Sequence, residues 1–484
     1  MTTLIPKIDF KNGGTLPTGA INRPVNLKLE EQVSVLDFGA IGDGTADDTV
    51  AFQNALTYLA NGGVLLVPSG RYKLTDTLVL NTGITIQGQG DGDRTFGIPN
   101  VNAVSSYIYQ TTPSKSVFSI GGNKRNIRIF DISLGSSLNP STTPSAFING
   151  IYIEGTYPNS STDLIFERCS FYNFKQAITV NDPNAPASNP DWQCDCCRVI
   201  SCEFMCNSTG VLFNSTNADA WLFETCQFLS GITATGILFN RVGFTTLINC
   251  FGGCATTSSP TNVYGLTING FTDTIKLINC QWENSNYMLA VNAVDALQPT
   301  GDFPIILDSC IIEAPIILGA RCHYISIASR YTQNVTVPVA GVIIESICDF
   351  FDGGSDYLIT NTGSSIQNAL PMSTSSVPAL ENGWVLGGRK QALRSAPPPT
   401  GTYAASDTVW NNTPNVGSPI GWVCSASGTP GTWQAFGQIG SRSASGSPVG
   451  SLTPFFLGEE YLDTGSNKWY KSIGSTNTSW VALN

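Results

Sequence analysis

Apolar and polar residues alternate in short bursts along the middle of the chain, and each burst is centred on a cysteine. The phrases are LIFERCSF (164–171), CRVISCEF (197–204), WLFETCQF (221–228), TTLINCFG (245–252), IKLINCQW (275–282) and PIILDSCII (304–312). Their cysteines, Cys169, Cys202, Cys226, Cys250, Cys280 and Cys310, are 33, 24, 24, 30 and 30 residues apart. Residues five and three before the cysteine are mostly large and apolar (Leu164 and Phe166, Trp221 and Phe223, Ile275 and Leu277, Ile305 and Leu307). That period of two predicts strands. Phe171, Phe204, Phe228, Trp282 and Ile312, two residues after the cysteine, predict a second inward-facing strand. A third recurs as GIYIE (150–154), GVLFN (210–214), GILFN (236–240) and GLTIN (265–269). Three short strands in each repeat of this length predict an all-β, parallel β-helix in which every coil buries its apolar face against its neighbours.

The residue before the cysteine is small or polar in most copies (Ser201, Thr225, Asn249, Asn279, Ser309), which suits a bend. Gly at the start of the third strand and Asn at its end suit tight corners. The column cysteines read as small buried residues stacked on their own copies. Coils about 4.8 Å apart leave sulfurs too far apart to bond, so the 14 cysteines predict no disulfide framework. MTTLIPKIDF lacks the basic start and long apolar run of a signal peptide, which agrees with synthesis in a reducing cytosol. Cys194, Cys196, Cys197, Cys202 and Cys206 are dense, but their spacing matches no standard zinc motif. No metal or other cofactor is expected.

The ends differ from the middle. Residues 1–32 read as an attachment segment, 33–370 as the capped β-helix and 371–397 as a linker. Residues 398–440 and 441–484 read as two small β modules, turn-rich and aromatic, whose Trp and Tyr serve as core or as sugar-stacking surface. Within VSVLDFGAIGDGTADDTVAFQNALTYLANGG (33–63), an amphipathic pattern predicts a capping helix over Ala46–Ala60, with Asp47 and Asp48 at its N-terminal end. The phrase DFGAIGDGTADDTVAFQNAL resembles the opening of the pectate-lyase-like β-helices of bacteriophage tailspikes, and the preceding GAINRPVNLKLEEQVSV is similar to segments joining such spikes to a tail. The resemblance is specific over residues 20–90 and architectural over 91–365. It implies a right-handed parallel β-helix in an elongated homotrimer, carried on the virion by a phage tail or baseplate protein that holds the N-terminal segment. It also implies recognition, and often degradation, of a bacterial surface polysaccharide, capsule or O-antigen. The aspartates of the phrase read as structural, given their place at the cap.

Composition narrows the partners. A formal charge of −11, with 12% charged residues, argues against nucleic acid, which binds to basic patches. No apolar run approaches the roughly 18 residues of a membrane span.

Candidate chemistry follows from which positions face outward. Two and four residues before the cysteine lie Glu167, Ile200, Glu224, Ile248, Ile278 and Asp308, and Ile165, Arg198, Leu222, Thr246, Lys276 and Ile306. This apolar strip is expected to face the trimer axis. One and three residues after the cysteine lie Ser170, Glu203, Gln227, Gln281, Glu283, Ile311 and Glu313, a mixture of acids and amides suited to a sugar groove. Glu283 and Glu313 occupy the same position in consecutive coils, about one strand spacing apart. Two carboxyls that close raise one pKa and supply the acid and the nucleophile or base of glycoside hydrolysis. Asp308 is a third catalytic candidate; Gln281, Gln227, Glu224, Trp192 and Arg321 are candidates for holding the sugar. Asp219 and Asp273 form an alternative pair whose other reading is turn formation. A lyase would draw on the RCHY stretch, Arg321, His323 and Tyr324. A spike that binds its glycan without cutting it is the alternative from another class.

Overall fold

The computed structural model describes residues 7–8, 23–24, 32–90, 105–138, 144–145, 148–154, 161–181, 194–215, 218–229, 231–253, 263–283, 286–292, 303–320, 322–333, 335–337, 342–351, 359–361, 365–366, 370–373, 384–386, 389–399, 402–415, 418–438, 442–455 and 457–483. Two compact units divide the chain, one formed mainly by residues 1–343 and the other mainly by 376–484.

In the first unit, strands stack in register into three parallel walls. The pre-bend wall holds Arg198–Ile200, Trp221–Glu224, Thr245–Ile248, Ile275–Ile278 and Pro304–Asp308. The post-bend wall holds Glu203–Met205, Gln227–Phe228, Phe251–Gly253, Gln281–Glu283 and Ile311–Ile312. The third wall is an 11-stranded sheet running from Leu78–Val79 to Ile359–Asn361. This is a right-handed parallel β-helix with three strands per coil.

The cysteine column lies in the interior as expected, with Cys169 and Cys226 fully buried. Each thiol donates to a backbone carbonyl of the preceding coil, as Cys226 Sγ does to Val199 O at 3.2 Å and Cys202 Sγ to Phe166 O at 3.4 Å. The hydrogen-bonded Cys250 thiol, and then burial, push Cys280 up to about 12, so that thiol stays protonated.

The bend itself is left-handed backbone. Arg168, Ser201, Thr225, Asn249, Asn279 and Ser309 all have φ between 49° and 56°. L residues pay for that conformation except where a short polar side chain bonds locally. Asn279 is such a residue, and its Nδ2 donates across to Asn249 Oδ1 of the previous coil at 2.7 Å. Replacing Asn279 with Val should therefore cost about 1–2 kcal/mol, read as a lower melting temperature, whereas Gly should be nearly neutral.

Aromatic rings fill the core after the bend. Phe171, Phe204 and Phe228 stack nearly parallel with centroids 5.0 and 4.8 Å apart. The next coil has Gly252 in this position, and Trp282 from the coil beyond leans across it to within 5.7 Å of Phe228. A Cβ on Gly252 or Gly265 would lie 2.0 or 2.1 Å from the Trp282 indole, so both glycines are needed to admit it.

At the N-terminal end the helix α1, Thr49–Tyr58, buries Phe52, Ala55 and Leu56, with Phe52 edge-on to Tyr72. It begins three residues later than the sequence pattern suggested. Asp43–Asp47 instead forms a strand beside Gly70–Leu74, and Asp48 stands at the N-cap. Buried Asp48 accepts from Ile41 N at 2.6 Å and Gly42 N at 3.2 Å; Asp43 accepts from Thr45 N and Ala46 N; Asp47 binds the Thr49 and Thr75 hydroxyls. These aspartates tie the cap together.

In the second unit, Trp384–Leu386, Arg389–Arg394, Thr408–Asn411, Pro419–Ala426 and Thr432–Gln438 form one sheet. The boundary expected at residue 398 shifts, because Arg389–Arg394, read as linker, pairs in parallel with Thr408–Asn411. A four-stranded sheet, Arg442–Ala444, Glu460–Asp463, Lys468–Ser472 and Trp480–Ala482, packs Tyr461, Tyr470 and Trp480 inward. Within residues 1–32, Lys7–Ile8 pairs antiparallel with Arg23–Pro24; most of the expected attachment segment lies outside the described residues.

Candidate active site

The outward positions of the post-bend wall change character along its length. In the early coils they are covered. Tyr107, Tyr109, Tyr172, Met205, Cys206 and Leu229 form a buried cluster against which Leu138 packs. Tyr107 Oη donates to Ser137 O and Ser136 Oγ to Asn173 O, which pins the covering segment down. Ser170 and Glu203, expected on a solvated sugar groove, are buried beneath this layer. Farther along, the wall opens. Gln227, Phe251, Gln281 and Ile311 follow one another in a single register column and are half-buried, and exposed Arg330 extends it.

Glu283 and Glu313 sit on this open stretch, both half-buried. Glu283 ends its strand opposite Gly253, and Glu313 follows the strand Ile311–Ile312, held by Glu313 N donating to Trp282 O at 2.8 Å. The side chains converge until the carboxyls hydrogen-bond. Burial first, and then the charge and hydrogen bond of Glu313, raise the Glu283 pKa above the usual glutamate range. The two carboxyls are thus close enough for one to bear on the protonation of the other. Four residues past Glu283, half-buried Tyr287 stacks on Tyr264 of the previous coil, centroids 6.0 Å apart and rings 8° from parallel. This aromatic pair was not singled out from the sequence, although a tyrosine repeated at the same offset before GLTIN and MLAV was the available signal.

The remaining candidates are distributed elsewhere. Gln281 and Gln227 share the wall of the carboxyl pair. Asp308 and Glu224 face outward from the pre-bend wall, across the bend, and Asp308 Oδ1 accepts from Ser309 Oγ at 2.9 Å. Trp192 and Arg321 lie outside the described residues. Asp219 takes the turn-forming role: its carboxyl accepts from Phe244 N at 3.0 Å, and its own N–H donates to Asp195 at 3.0 Å. Tyr324 is buried with its hydroxyl 2.6 Å from that of Tyr331, which in turn donates to Ser326. This removes Tyr324 as a lyase base. In the cysteine-rich stretch, Cys194 and Cys197 are buried 3.9 Å apart while Cys196 is exposed. Among the described residues no cluster of metal-ligating side chains forms, and no helix is long and apolar enough to cross a membrane.

Known proteins share this architecture. Residues 32–132 match the family model described as rhamnogalacturonase A/epimerase, pectate lyase-like. A tailspike protein double mutant of E. coli bacteriophage HK620 superposes with a TM-score of 0.53 at 14% identity, covering 76% of this chain and 70% of that one. The likeness shows the fold, a right-handed parallel β-helix. The tail spike protein of Shigella phage Sf6 is 37% identical over 78 residues, 15% of this chain and 12% of that protein. Mannuronan C5-epimerase AlgE5 of Azotobacter vinelandii is 30% identical over 146 residues, 28% of this chain and 14% of that enzyme. The matched segments thus span only a small part of these two relatives' lengths.

Proposed function

We propose that this protein is a tailspike depolymerase that binds a bacterial surface polysaccharide and hydrolyses it at Glu283 and Glu313. The observation that carries the reading is the contact between two half-buried carboxyls from consecutive coils on the open stretch of the post-bend wall, with a stacked tyrosine pair at Tyr264 and Tyr287. The protonated member gives its proton to the glycosidic oxygen as the bond to the anomeric carbon breaks, and the ionised member attacks that carbon. Water then enters, returning its proton to the first carboxyl and releasing the sugar. A strand spacing of about 4.8 Å between the two backbones suits the short separation of retaining enzymes better than the roughly 6.5–9.5 Å of inverting ones. The contact between the carboxyls means that the sugar must part them as it enters. Gln281 and Gln227 offer hydrogen bonds to hydroxyls, and the Tyr264–Tyr287 pair offers a stacking surface.

Incubating the protein with polysaccharide from bacteria that it binds and measuring new reducing ends tests the reading. Release of saturated oligosaccharides supports hydrolysis. Unsaturated products would indicate a lyase, and binding without fragments would leave the spike a receptor-binding protein.

The assembly belongs to the same proposal. A homotrimer is held on a phage tail or baseplate through residues 1–32, and the apolar half of the pre-bend wall faces the threefold axis. Ile248, Ile278 and Ile306 continue there into Ile325 and Ile327, half-buried in a single chain. Ile248→Lys or Ile278→Lys should shift the mass measured by light scattering from trimer toward monomer; an unchanged trimer places the contact elsewhere.

A further inference from the structure

The earlier half of the pre-bend wall is not a continuous apolar strip. A groove of about 700 Å³ runs along it, with Arg128, Ile165, Arg198, Leu222 and Thr246 among the residues lining it. These five are a single outward column, paired coil to coil. Arg128 and Arg198 are both exposed and flank Ile165, two strand spacings or about 10 Å apart. Neither forms an ion pair among the described residues. Arg168 on the same wall shows what a structural arginine does here: it is clamped by Asp131 at 2.6 and 3.0 Å and by Glu167. In a chain of net charge −11, two outward guanidinium groups that form no ion pair among the described residues and share a concave surface invite an anion. The rim supplies the rest of a sugar site: Phe244, 40% exposed, offers a ring face, and Asn126 offers an amide. Asp163, between the two arginine coils, also lines the groove, and its Oδ2 accepts from the Thr162 hydroxyl at 3.3 Å.

We propose that this groove is a second glycan site, which takes an acidic polysaccharide by placing two of its sugar carboxylates on Arg128 and Arg198. It lies on a different wall from Glu283 and Glu313 and does not depend on their chemistry. The full-length protein should bind oligomannuronate hexamers, used as a polyuronate probe, more tightly than neutral dextran oligomers of the same length. Raising the salt concentration should weaken that binding. Arg128→Ala with Arg198→Ala should reduce affinity for the uronate at least 10-fold, leave dextran binding and the melting temperature unchanged, and recover in part when both positions are Lys. Equal uronate affinity in the double variant, or no preference for uronate over dextran in the wild-type protein, would overturn the proposal. Cleavage of host polysaccharide measured beside the binding separates the two sites. Loss of uronate binding with cleavage of a neutral substrate intact assigns the groove, whereas Glu283→Gln and Glu313→Gln should leave uronate affinity at this groove unchanged.

Discussion

Glutamine in place of Glu283 or Glu313 is expected to cut oligosaccharide release by about 10²- to 10⁴-fold, the usual contribution of a positioned proton donor or acceptor. Glutamine keeps the size and polarity of the side chain, so folding and glycan binding should survive, which separates chemistry from architecture. The same substitution should change stability in the opposite sense. The raised pKa means that the folded protein holds the Glu283 proton at pH values where the unfolded chain has released it. Stability is therefore greatest below the ordinary glutamate range and falls as pH climbs through the raised value. Glu283→Gln removes that fall, so its melting temperature should exceed that of the wild type at pH 7 to 8 and approach it near pH 4. A variant that loses activity without this pH-dependent gain would place Glu283 away from its partner's charge. Exchange of activity for stability is expected where a site holds like charges together.

The second large effect lies in the core. Trp282 is fully buried and reaches across the coil of Gly252 to the ring of Phe228. Trp282→Ala should leave a cavity spanning two coils and cost about 3–5 kcal/mol, because neighbouring parallel strands cannot collapse into it. Trp282→Phe should cost much less. The indole Nε1 is buried and has no hydrogen-bond partner among the described residues, so removing it relieves an unsatisfied donor. Thermal unfolding followed by circular dichroism gives the order: alanine far below wild type, phenylalanine close to it. Because Glu283 adjoins Trp282, the alanine variant should also lose activity, whereas the phenylalanine variant should keep most of it.

How much of this was legible in the sequence depended on how local the determining contact was. The period of two around each cysteine and the small residue before it sufficed for the walls and the bend, because side-chain alternation and a left-handed corner are properties of a few consecutive residues. The same register brought Glu283 and Glu313 into line. Alignment on cysteine hid two coils, however. Ile132 takes the column position beside Cys169, and Ser329 takes it in the last coil, where its hydroxyl accepts from Cys310 N at 3.1 Å. The arginines of those coils, Arg128 and Arg330, went unnoticed for that reason. The covering of Ser170 and Glu203 was not legible either, since it comes from residues more than thirty positions away that fold back over an outward face. Propensity placed the helix start too early for a related reason: the pairing of Asp43–Asp47 with Gly70–Leu74 competes with helix for the same residues.

A crystal structure of the Glu313→Gln protein bound to an oligosaccharide of its own host polysaccharide would test the central claim most directly. The expected result is a sugar chain across the open stretch of the post-bend wall, with a glycosidic oxygen between residues 283 and 313 and a ring against Tyr264 or Tyr287. An oligosaccharide bound elsewhere, with the two side chains still in contact and no sugar near them, would contradict it.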